Sequence, residues 1–288
     1  MTAAAFTNVY PSGVVNAAAP NVQTTCGGTA TLPDGTSVAL LGGTIPANGF
    51  CTVTVVVTSA LAGSYTDDIP VGDVTTDNAG SNVVATSTTL TVNDRPVVTQ
   101  VFGPAAIGVN GTSTLTITLT NPNNTPMTDA AFVNTYPLGL LNASIPNVAT
   151  SCGGAVAVTA GPGVSLTGGT IPQNGSCTVT VLVTSPTAAS YTNEIPTGGV
   201  TTSNAGSNIV PADAILIVGN LPIVEEFFGP DAIGVNGTST LTITLRNPNG
   251  IPMNNAAFVS TYPLGLVNAG TPNGTTTCVG GVVTAAGN

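Results

Sequence analysis

The sequence predicts an all-β chain, built as tandem two-sheet sandwiches with a period of 126 residues. Three observations predict it. First, "AAFVNTYPLGL" at 130–140 echoes "AAFTNVYPSGV" at 4–14 and "AAFVSTYPLGL" at 256–266, so that Phe6, Phe132 and Phe258 stand 126 residues apart both times. Second, only 5% of residues are charged while 42% are hydrophobic, and Thr and Val abound. β-Branched residues suit a pleated surface, whereas disordered chains are charged and poor in apolar residues. Third, 35 Gly and 22 Pro fall between short alternating runs, and no stretch reads as an amphipathic helix.

The period sets the expected units. "VFGPAAIGVNGTSTLTITLTNPNNTPM" at 101–127 aligns without gaps on "FFGPDAIGVNGTSTLTITLRNPNGIPM" at 227–253, with 22 of 27 positions identical. Met127 and Met253 step back to Met1, which therefore holds an interior repeat position, and Asn288 matches Pro162. The expectation is a window on a longer array: a partial repeat lacking its first strands (1–96), a complete repeat (97–222), and a third lacking its C-terminal part (223–288). The alternative is that the partial units complete each other between chains by strand donation. Their overlap of 36 residues makes that arrangement less tidy.

Within the complete unit the strands follow from alternation. "STLTITL" at 113–119 sets Leu115, Ile117 and Leu119 on one face and Thr on the other. "NPNNTP" then breaks the run, because proline supplies no ladder donor. "SCTVTVLVTS" at 176–185 aligns Cys177, Val179, Val181 and Val183, and "DAILIV" at 213–218 is a short apolar final strand. About seven to eight such strands make a two-sheet sandwich. The junctions "NDRPV" at 93–97 and "GNLPI" at 219–223 each carry a proline, which limits bending between units.

The five cysteines obey the same step. Cys26 and Cys51 recur as Cys152 and Cys177, and Cys278 is the next first member, its partner falling beyond the window. The expected pairs are Cys26–Cys51 and Cys152–Cys177, with reduced buried thiols as the alternative. Zinc fits poorly, with two cysteines per unit and no His where a tetrahedral site takes four ligands. Paired cysteines without metal spacing point to an oxidising, extracytoplasmic location.

In this register the motif series "FGPAAIGVNGTSTLTITLTNPN", "TYPLGL", "CGG", "GGTIPQNGSCTVTVLVTS" and "SYTNEIPTGGVTTSNAGSN" resembles the DUF11-type conserved repeats of bacterial surface and secreted proteins, in the subgroup with an F-x-P start and two cysteines per unit. The resemblance spans the central unit and both partial ones. It implies immunoglobulin-like sandwiches in long extracellular stalks, adhesins or coats, and no catalytic residues. The chain departs from the family in lacking lysine. The basic residue often found before F-x-P is replaced by Gln100 and Glu226.

A working site in an array should recur at equivalent positions, and the acids mostly do not. Asp73 corresponds to Gly199 and Asp77 to Ser203; only Asp68 keeps a carboxylate, as Glu194. Without His or Lys to act as a base, no catalytic residues are expected. Asp67, Asp68, Asp73 and Asp77 form a weak calcium candidate whose alternative is a solvated loop, and no cofactor is expected. A net charge of −10 with two arginines disfavours nucleic acid, and no apolar run approaches the roughly 18 residues of a membrane span. Outward faces rich in Thr, Asn and Ser, without edge lysines, leave three options: O-linked glycans, edges blunted by proline and bulges, or edges used for assembly with copies of the same chain. The expectation is a structural component of an extracellular filament, sheath or cell-surface stalk. The alternatives are the stalk of an adhesin whose binding tip lies elsewhere, and more distantly a carbohydrate-binding module.

Overall fold

Alternation of apolar and hydroxyl side chains decides the secondary structure. The computed structural model describes residues 1–159 and 161–285, and every regular element among them is a strand. Asn288, where the third expected unit ends, lies outside the described residues.

The central segment is an immunoglobulin-like sandwich. Val97–Gly103, Thr112–Asn121, Gly175–Thr184 and the short Leu141–Asn142 form one antiparallel sheet in that order, and Ala149–Thr150 also pairs with Gly175–Thr184. A second set runs Ala155–Val158, Gly163–Ile171, Met127–Thr135, Val200–Thr202, Gly206–Ser207. A third joins Ala106–Gly108, Ala212–Gly219 and Ala189–Ile195. The chain thus leaves the first sheet after Gly103 and resumes at Ala106, now parallel to Ala212–Gly219. Gly103–Pro104, the peptide at this crossing, is cis.

Register places the apolar faces together. Leu115 lies opposite Val181, Ile117 opposite Val179, and Leu119 opposite Cys177. These side chains join Met127, Phe132, Leu166, Ile171, Tyr191 and Leu216 in a single core drawn from all three strand sets. Leu115, Ile117 and Leu119 are wholly buried, and each removes apolar surface worth roughly 2 kcal/mol from water.

The flanking segments are less complete. In residues 1–92 one sheet runs Gly80–Ser81, Thr75–Thr76, Ala4–Val9, Ser37–Gly43, Thr29–Thr31, and Gly63–Ile69 pairs with Thr86–Val92. Val53–Thr54 and Val57–Ser59 are two short pieces, although "CTVTVVVTS" at 51–59 differs from "CTVTVLVTS" at 177–185 by one residue. The central copy is one continuous strand because Thr112–Asn121 pairs along its whole length. The first copy has no such partner among the described residues. In the C-terminal segment Ile223–Gly229 pairs with Thr240–Arg246, and residues 247–285 contain no strand.

Candidate functional site

Three local arrangements recur from segment to segment and set what the protein can do. The first is the cystine. Cys26 is bonded to Cys51 and Cys152 to Cys177, each across 25 residues, and Cys278 is free and exposed. The backbone holds the first cysteine the same way each time. Thr24 Oγ1 accepts from the Cys26 N–H and Thr150 Oγ1 from the Cys152 N–H, both at 3.0 Å. The "CGG" motif has a steric reason: Gly153 and Gly154 both lie at positive φ (65° and 68°), and a Cβ on Gly154 would strike the Thr167 carbonyl.

The second arrangement is a polar cluster inside the sandwich. Gln100 Oε1 accepts from Asn193 Nδ2 at 2.6 Å and from Asn134 Nδ2 at 3.3 Å, while Gln100 Nε2 donates to the Ala212 carbonyl at 2.6 Å. One side chain therefore ties four strands together. Asn134 Oδ1 and Asn193 Oδ1 are buried without a partner. In the first segment the equivalent pair is Asn8 and Asp67: Asn8 Nδ2 donates to Asp67 Oδ2 at 2.7 Å, and Asp67 Oδ1 is buried and unpartnered. Nearby, burial raises the Tyr10 phenol above its ordinary pKa, with Asp67 and Asp34 adding to the effect. Burial raises Tyr136 much further, and its hydroxyl donates to Asn142 Oδ1 at 3.0 Å. The hydroxyls of Ser37 and Thr36 and the Thr36 N–H hold Asp34 below the usual carboxylate range.

The third arrangement is the junction. The Asp94 N–H donates to Asn123 Oδ1 at 2.7 Å and Asn123 Nδ2 donates to the Asp94 carbonyl at 2.9 Å, so one amide side chain grips both polar groups of the connecting residue. Asn220 and Asn249 repeat this at 2.7 and 2.9 Å. Asn121 Oδ1 and Asn247 Oδ1 brace the gripping residue by accepting from its backbone N–H, at 2.9 Å in both places. At the first junction Asn93 Nδ2 also reaches the Asn204 carbonyl at 2.9 Å, and Arg95 Nη1 the Ser207 carbonyl at 3.3 Å. Sequence reasoning took "NPNNTP" as a strand break and credited the junction to proline. The recurrence of "NPN" at 121–123 and 247–249 was the available signal for the clamp.

The calcium candidate does not assemble. Asp67 and Asp68 are neighbours on Gly63–Ile69 and alternate inward and outward, while Asp73 and Asp77 are exposed on the following turns. Among the described residues no three His, Cys, Asp or Glu side chains could hold one metal ion. Asp67 instead faces a cleft of ≈330 Å³ lined by Phe6, Tyr10, Val53, Val55 and Val57 among others. In the central segment Leu115 and Ile117 lie opposite Val181 and Val179, the equivalents of Val55 and Val53, and Ser113 lies opposite Val183, the equivalent of Val57. The cleft lies at the position that Thr112–Asn121 occupies in the central segment.

With this geometry established, comparison with known proteins places the chain. A family model described as "Domain of unknown function (DUF7933)" matches residues 1–92, 96–218 and 222–288. The chain belongs to the DUF7933 family. A search of curated proteins returns no match to this DUF7933 chain. Among solved structures, it is similar to the C-terminal domain of the Streptococcus agalactiae AgI/II polypeptide BspA (9% identity, 75% of this chain and 84% of that one, TM-score 0.37). Others are the N-terminal domain of the Streptococcus gordonii adhesin Sgo0707 (10%, 75% and 56%, 0.32) and the full-length RrgB pilus protein of Streptococcus pneumoniae (15%, 78% and 44%, 0.31). The chain spans about half the length of the last two. At these scores no function is carried across. Among the described residues no helix is long and apolar enough to cross a membrane.

Proposed function

We propose that this DUF7933 chain is a structural extracellular protein, a tandem-repeat building block of a surface filament, sheath or stalk. The units are 1–96, 97–222 and 223–288, the outer two partial, and the kinship with DUF11-type repeats that start at F-x-P belongs to the same reading. The observation that carries it is the repeated junction clamp. Asp94–Asn123 and Asn220–Asn249 join consecutive segments with matching bonds, so each added unit of roughly 40 Å extends the chain in a fixed relation to the last. Cystines support a location outside the cytoplasm. The scarcity of ionisable groups makes such a rod indifferent to salt. Its partners are other copies of itself, and its exposed Thr faces are open to O-linked glycans; no enzymatic role is assigned.

Negative-stain microscopy of surface material tests this reading: regular, ordered fibres support it. Scattered single flexible rods would move the balance to the stalk of a large adhesin whose binding tip lies elsewhere. Specific binding of an isolated central segment to a glycan array would replace both with a carbohydrate-binding module.

A further inference from the structure

Between residues 97 and 222 the only charged side chains are Asp129, Glu194 and Asp213, and all three lie off the sheet built on Thr112–Asn121. Asp129 is on Met127–Thr135, and Glu194 stands directly opposite Asp213. Two acids as cross-strand neighbours make that side of the sandwich repel a copy of itself. The outer face of the first sheet carries no charge. Its side chains fall in cross-strand rows: Thr99, Thr118 and Thr178 form one, and Val101, Thr116 and Thr180 the next. The core directly beneath is closed, with Leu115, Ile117 and Val179 wholly buried, so the exposure of this face is independent of the flanking segments. Val101 is nevertheless 58% exposed and Val97 50%. The hydroxyls of Thr116 and Thr118 have no partner among the described residues. A hydroxyl both donates and accepts, so a Thr face can satisfy the hydrogen bonds of its own copy while methyls and valines pack between.

We propose that this face of one copy of the chain packs against the same face of a second copy, as two sheets stack about 10 Å apart. The contact is isologous, and two equal faces overlap most when the two-fold axis passes over their centre, near Thr116. Strands of 10 residues, at about 3.4 Å per residue and three abreast at about 4.8 Å, give a face of roughly 500 Å². Two such faces bury about 1,000 Å² in all, the lower bound for a specific interface. The pair is therefore reversible, with a dissociation constant above about 1 μM. The C-terminal segment carries Glu225 and Arg246 at the places of Thr99 and Thr120, which directs central face to central face. This proposal rests on the reading of the chain as a unit that associates with its own copies, and it names the surface that does so.

Sedimentation velocity of the 288-residue chain, with Cys278→Ser to remove the free thiol, should show mass rising with concentration. Thr116→Asp should weaken that association about tenfold or more, because it sets like charges face to face in the contact. Mixing the Thr116→Asp chain with a Thr116→Arg chain should restore it as a mixed pair, which a misfolded variant could not form. Thr192→Asp, beside Glu194 on the acidic side of the sandwich, should leave association unchanged. The proposal is overturned by a monomer at all concentrations up to about 1 mM, by association that Thr116→Asp leaves intact, or by failure of the mixture to pair. It is equally overturned by the same loss with Thr192→Asp, or by glycans found on Thr116 or Thr118 of the native chain by mass spectrometry, since sugars hold the faces apart. Fibres absent in microscopy while the mixed pair forms would sink the filament alone, and ordered fibres untouched by Thr116→Asp would sink this contact alone.

Discussion

Gln100→Met keeps the length and much of the volume of the side chain while deleting its amide, and so isolates what the buried polar cluster contributes. Three hydrogen bonds are lost, from Asn193, from Asn134 and to the Ala212 carbonyl. At about 1 kcal/mol each the loss is about 3 kcal/mol, and more where the two amide groups left behind find no water. Asn134 and Asn193 have unpartnered Oδ1 atoms, so a direct bond between them, like that of Asn8 to Asp67 in the first segment, would recover only about one of the three. At about 1.4 kcal/mol per tenfold, amides of Gly175–Thr184 that exchange through opening of the central core should exchange roughly 100-fold faster. Hydrogen exchange read by mass spectrometry resolves that strand from the flanking segments. A change under about threefold would refute the claim that Gln100 ties the two sides of the sandwich together.

Three further outcomes follow from the same geometry. Replacing both Cys152 and Cys177 with Ser frees a 25-residue loop and should cost about 3.5 kcal/mol by chain entropy, read as a lower denaturant midpoint that reducing agent no longer shifts. Asn123→Ala and Asn249→Ala should each leave the sandwich cores intact but broaden the distance distribution in small-angle scattering, because the grip on Asp94 or Asn220 is gone. The Tyr136 phenol is raised from its ordinary value of 10.0, so its contribution is fully present below pH 10 and is lost as pH rises above that, where only the unfolded chain ionises readily. Tyr136→Phe should flatten the alkaline fall in stability, and absorbance near 295 nm should show a tyrosine that titrates late.

Much of the sandwich was legible because its signals are local. Leu115, Ile117 and Leu119 alternate with Thr, and that alone fixed a strand with one buried face. The cystine pairs could be read from recurrence, since Cys26 and Cys51 return as Cys152 and Cys177. The calcium candidate failed for a reason equally local: alternation sends Asp67 and Asp68 to opposite faces, and the later acids sit on separate exposed turns. What stayed hidden depends on contacts distant in sequence. Gln100 looked like a lost basic residue until Asn193, 93 positions away, was seen to donate to it. Asn123 looked like turn punctuation until its amide was found on Asp94. The break between Val53–Thr54 and Val57–Ser59 has no cause in its own residues, which nearly match those of an unbroken strand.

The parallel pairing of Ala106–Gly108 with Ala212–Gly219 has a mechanical consequence. A pull applied through the two ends of the central segment drags these neighbouring strands in opposite directions along their length. Their bonds are then loaded in shear and must fail together, not one after another as in unzipping. Should they give way, the Cys152–Cys177 link keeps its loop from paying out, withholding about 85 Å of contour at full extension. Such a segment yields late under tension and lengthens little when it does.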